Sequence, residues 1–137
     1  MREIKFRGKV LWNGSHFFSG DWIEGNLGVK LNIATGEDDY YILDPTYNPN
    51  SNSSYFVDIL IDAETVGQFT GLPDKNGKEI FEGDIVIWDN ELEPNEVYFD
   101  ETTTQFTTKK RWLWPNLEFV NVIGNIYDNP ELLEVVK

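Results

Sequence analysis

Hydrophobic and polar positions alternate in short runs along this chain, and Gly, Pro, Asn or Asp interrupts them at close intervals. That rhythm predicts strands and turns, not long helices. Ile4–Trp12 and His16–Ile23 read as strands around Asn13-Gly14, a pair suited to a tight hairpin turn. Across Trp22–Asn32 the apolar residues Leu27, Val29 and Leu31 recur at strand period and continue to Ile33. Residues 34–39 read as a turn and Tyr40–Leu43 as the returning strand. Residues 44–54 form a long polar loop with two prolines, a natural site for disorder or insertion. Phe56–Ile61 is a short strand, and Asp62 is placed to cap one helical turn over Ala63–Val66.

The block from Glu64 to Val86 is the most informative. It reads as two strands joined by the loop Asp74-Lys75-Asn76-Gly77, which carries turn chemistry. Ile80–Trp88 is a strand broken at Glu82-Gly83-Asp84, where a Gly marks a bulge or tight bend. Val66, Phe69, Ile80, Ile85, Val122 and Ile126 supply apolar faces. Beyond it, Glu96–Phe99 and Gln105–Thr108 read as strands with Thr102–Thr104 between them. Residues 112–127 are strand-rich and broken at Pro115-Asn116. Asn129-Pro130-Glu131 predicts the start of a short C-terminal helix, with Asn as cap and Pro at the first helical position.

Composition narrows the picture. The 137 residues fit a single domain, or one domain with a small subdomain. There is no cysteine, so disulfides, thiolate metal sites and cysteine nucleophiles are excluded. No apolar run approaches the ~20 residues that span a bilayer, and the N-terminus carries no signal-peptide core. The expectation is a soluble protein of the cytoplasm with no membrane partner.

Net charge is −13, from 24 acids against 11 bases and one histidine. Such a field repels polyanions, so no non-specific binding to duplex DNA is expected. Residues 82–101 hold eight acids and no base, a pattern that reads as a solvated face. The bases cluster at Arg2–Lys9 and at Lys109–Arg111.

No catalytic constellation emerges. His16 lies beside Phe17 and Phe18 without a nucleophile or acid partner, and reads as a strand residue. No phosphate loop, zinc motif or serine-nucleophile elbow is present. The chain therefore reads as a non-enzyme with no cofactor and no metal. One constellation invites binding. Lys109, Lys110, Arg111, Trp112 and Trp114 place bases beside two tryptophans of equal strand parity. Core packing, a protein interface, or stacking on a base or sugar would each use this pattern.

Several blocks carry a resemblance. MREIKFRGK at the start, WIEGNL at 22–27, ETVGQFTGL at 64–72, DKNGKEIFEGDIV at 74–86 and VIGNIYDNPELL at 122–133 together resemble the YopX family of phage and prophage proteins. They cover about half of the chain, in order and at both ends. The loop 44–54 and the insert 89–108 carry no such wording. The resemblance implies a single mostly-β domain with an N-terminal β portion of additional strands (1–66) and a small SH3-like barrel in its C-terminal half (67–137), which ends in the short terminal helix. It implies a phage- or prophage-encoded protein and assigns no catalytic or ligand residue. The functional expectation is a non-enzymatic protein-interaction module, its partner another protein or a second copy. Two alternatives stand: an acidic mimic of nucleic acid that inhibits a nucleic-acid enzyme, or a nucleic-acid-associated protein using the basic-aromatic patch.

Overall fold

A computed structural model describes residues 3–13, 17–44 and 57–134. The chain forms two compact units, Glu3–Gln68 and the segment from Phe69 onward. Both are built from antiparallel strands in open sheets, and among the described residues none closes into a barrel. The fold is mostly β, as the periodicity predicts, while the expected SH3-like barrel is not seen as a closed barrel.

In the N-terminal unit, β1 (Phe6–Lys9), β2 (Trp22–Asn32), β3 (Glu37–Asp44) and β4 (Val57–Ile61) run in the order β4-β3-β2-β1. The first two residues of β5 (Gly67–Pro73) pair on the outer side of β1, with Arg7 opposite Gly67 and Phe6 opposite Gln68. Side chains of Leu27, Ile42 and Ile59 line up across three strands. With Val10, Ile23 and Ile61 they make the apolar core of this unit. Because side chains alternate with period two, this register puts one whole set of residues on the buried face. Asp62 caps a single 3-10 turn, Ala63–Thr65, accepting from the Glu64 backbone N–H at 3.1 Å. Thr65 then accepts the Lys9 N–H at 2.9 Å, tying that turn to β1.

The first expected hairpin is corrected. β1 ends at Lys9 and β2 begins at Trp22, so Lys9 faces Trp22 and no strand occupies residues 17–21. Local polar side chains hold a loop instead: Asp21 accepts the Phe18 N–H and Asn13 accepts the Ser19 N–H, both at 2.9 Å. Side-chain-to-backbone bonds of this kind compete with strand pairing. His16, Gly14 and residues 45–54 of the polar loop lie outside the described residues, while Asp44 ends β3. β3 also begins earlier than the sequence pattern implies, at Glu37.

In the C-terminal unit the rest of β5 pairs with β6 (Glu79–Phe81), Phe69 lying opposite Phe81. β7 (Asp84–Trp88) is central, between β11 (Val120–Asn125) and β8 (Asn95–Glu96). β9 (Tyr98–Asp100) and β10 (Gln105–Thr107) form a hairpin. Ile80, Val86, Trp88, Val97, Phe106, Leu113 and Val120 pack into its core.

Two buried carboxylates organise its turns. Asp74 accepts the backbone N–H groups of Asn76 (2.8 Å), Lys78 (2.9 Å) and Val122 (3.1 Å), which fixes the β5–β6 turn against β11. In that turn the Gly77 N–H donates to the Asp74 carbonyl at 3.0 Å. The Asn76 side chain donates to Asn121 at the same distance. Asp84 accepts the Phe81 N–H at 2.7 Å across the break between β6 and β7. Gly83 occupies that break with φ +92°, as its place in the interrupted strand predicts.

Of residues 112–127, expected as strand-rich and broken at Pro115-Asn116, only Val120–Asn125 form a strand, and 112–119 do not. The latter stretch contains a cis Trp114–Pro115 bond and a 3-10 turn, Asn116–Phe119. The expected C-terminal helix is likewise reduced to a 3-10 turn, Pro130–Leu133. Asn129 does not cap it. Its side chain turns back to accept the Asn125 N–H at 3.2 Å. Gly124 makes this approach available, since a Cβ there would lie 2.5 Å from the Asn129 Oδ1. No helix among the described residues is long and apolar enough to cross a membrane.

Candidate interaction surface

The segment after β10 positions the residues singled out in the sequence. Thr108 clamps it: its hydroxyl donates to the Arg111 carbonyl at 2.7 Å and accepts the Arg111 N–H at 3.2 Å. This closes a tight turn over Lys109 and Lys110. Trp112 then bridges back to Thr107. Leu113 is fully buried in the unit's core, and its two neighbours are turned outward. Trp112 is 59% exposed and Trp114 66% exposed. Trp12 is also exposed and Trp22 is half-buried, so of the five tryptophans only Trp88 is a core residue. Core packing is therefore not the use of Trp112 or Trp114.

The cations are committed elsewhere. Lys110 lies 2.5 Å from Glu91 and 3.8 Å from Glu93. Arg111 pairs with the same Glu91 carboxylate, and its guanidinium stacks 5.3 Å from the centre of the Trp88 ring. The hydrogen bond from Lys110 holds the Glu91 carboxyl below its ordinary pKa, aided by the two nearby positive charges and opposed by burial. Lys109 borders a different depression of about 490 Å³, beside Glu93, Glu96 and Tyr98. Lys109 and Trp114 thus line separate depressions, while Lys110 and Arg111 are paired with acids.

Trp114 instead joins a groove of about 410 Å³ with Thr70, Leu72, Phe99, Gln105 and Phe106. Phe99 and Phe106 meet edge to face across the β9–β10 hairpin, 5.1 Å between centres, which holds the Phe99 ring in place. Phe99 stays 41% exposed at the groove. The groove is lined by apolar and aromatic side chains together with Thr and Gln, and none of its lining side chains is charged. Sequence reading misses Leu72 and Phe99 because they are remote from Trp114 along the chain.

The acidic run is partly consumed by structure. Asp84 is buried, Asp89 pairs with Lys75 at 2.9 Å, and Glu91 holds the 110–111 turn. Among the described residues no three His, Asp or Glu side chains gather as a metal site would require.

Comparison with known proteins agrees with this architecture. The crystal structure of protein EF1440 from Enterococcus faecalis superposes with a TM-score of 0.56 at 23% identity, over 98% of this chain and 100% of that one. At that identity the likeness concerns the fold. No curated protein matches the chain. The family model described as YopX protein matches residues 26–134, most of the sequence, and the chain belongs to the YopX family.

Proposed function

We propose that this protein is a non-enzymatic interaction module that seats a protein partner against the groove at Trp114 and Phe99. The observation that carries this reading is Trp114, two-thirds exposed yet anchored by the buried Leu113 beside it. Large aromatic rings held outward on a rigid base are the usual energetic centres of protein interfaces. The uncharged lining favours a partner over a polyanion, and the neutralised Lys110 and Arg111 leave little basic surface for nucleic acid. In keeping with the family, we read the protein as phage- or prophage-encoded and acting in the bacterial cytoplasm.

The test compares wild type with Trp114→Ala and Phe99→Ala in cross-linked capture from lysate of the prophage-carrying host, with light scattering of each pure protein. A defined partner that survives high-salt washing and is lost with either substitution is the expected result. Light scattering that shows self-association abolished by the same changes makes the partner a second copy. Capture and oligomeric state both indifferent to the two substitutions overturn the reading.

A further inference from the structure

The hairpin of β2 and β3 outruns its neighbours. β2 and β3 stay paired to Asn32 and Glu37, but β1 reaches along β2 only to Gly25, and β4 reaches along β3 only to Tyr40. Lys30–Asn32 and Glu37–Asp39 therefore form a two-stranded arm beyond the sheet of the N-terminal unit. A two-stranded ribbon with nothing packed on it is marginal in water.

The arm also extends the core face outward. Ile23 and Leu27 pack in the core, and the next residues of the same parity, Val29 and Leu31, are 50% and 64% exposed. Ile33, in the turn, is 92% exposed. On this face Asp38 lies directly across from Leu31, while Glu37 and Asp39 lie across from Asn32 and Lys30 on the opposite face, where Asp39 accepts from the Asn32 side chain at 3.0 Å. The arm's single base, Lys30, is spent on Asp58 at 2.5 Å and on the face of Tyr41.

We propose that this arm is a second docking element, for a protein partner whose surface offers an apolar groove bordered by lysine or arginine. The apolar strip supplies contact area, Asp38 beside Leu31 supplies register, and the three acids of the arm together steer a basic partner toward it. A second copy of the chain is the poorer occupant, because self-docking would bring both acidic tips together on molecules that each carry −13. The arm lies in the N-terminal unit, so the inference stands apart from the Trp114 groove.

The probe is a synthetic peptide of alternating Leu and Lys, titrated into the full chain while the Val, Leu and Ile methyl resonances are followed. A Ser/Lys peptide and a Leu/Glu peptide serve as controls. The Leu/Lys peptide is expected to move Val29, Leu31 and Ile33, and the controls to leave them in place. Leu31→Ser with Ile33→Ser, or Glu37→Gln with Asp38→Asn and Asp39→Asn, should each weaken binding by about tenfold or more, on the order of 1.4 kcal/mol. Shifts centred elsewhere, equal binding by both variants, or a concentration-dependent dimer dissolved by Leu31→Ser overturn the proposal. The methyl map of the wild type decides the first point whether or not a variant folds.

Discussion

At the scale of single residues, Gly83 is the clearest link from sequence to conformation. A Gly between two apolar runs signals a break, and here φ is +92°, a region that β-branched residues avoid. A Cβ would also stand 3.2 Å from the Tyr127 ring. Gly83→Val should therefore lower stability by about 1–3 kcal/mol, read as a fall in denaturant midpoint at unchanged slope. An unchanged midpoint would show the backbone relaxing to negative φ. Gly83, Asp62 and Asn76 were legible because their chemistry acts on the backbone within a few positions. Trp112 and Trp114 were not. Exposure is set by what distant segments cover, and the inward Leu113 between them decides which way both rings turn.

At the scale of elements, the strands were legible wherever apolar alternation met a backbone breaker, as in β2, β5, β6 and β7. They were misread where side chains captured the backbone. Asn13 and Asp21 hold residues 17–21 as a loop, and Asn129 abandons its cap to bind Asn125. The Lys110–Arg111 turn depends on a titratable group. Glu91 has a folded pKa lowered below its ordinary value, chiefly by the hydrogen bond from Lys110. Its contribution is complete above the unfolded carboxyl pKa of roughly 4.3 and is lost as pH falls through the lower folded value. Wild type should exceed Glu91→Gln in stability near neutral pH, and the gap should close in acid below that range. A gap constant from neutral pH into acid would remove Glu91 from this role.

At the scale of the whole molecule, charge governs what can approach. With 24 acids and only 11 bases, several of them already paired, contacts to phosphate cannot accumulate. Non-specific duplex binders reach roughly 10⁻⁴–10⁻⁶ M at physiological salt by neutralising several phosphates together. A gel-shift titration with random duplex should show no complex in that range, and a micromolar complex would restore the nucleic-acid alternative. Strand rhythm by itself does not sort the apolar residues into cores, since both halves share it. Which apolar residues gather into which core is decided by register, and register is a pairing between remote segments.

The β5–β6 turn has a consequence for how the protein ages. An Asn followed by Gly ordinarily loses its amide when the Gly backbone nitrogen attacks the side-chain carbonyl, closing a ring and releasing ammonia. In this turn the Gly77 N–H is engaged by the Asp74 carbonyl and the Asn76 amide by Asn121, each at 3.0 Å. The attacking and attacked groups are thus both held in other bonds. Native protein stored warm should keep Asn76 intact, whereas denatured protein should convert it to Asp and isoAsp, as peptide mass mapping would record. Equal conversion in both states would mean that the turn opens faster than the ring closes.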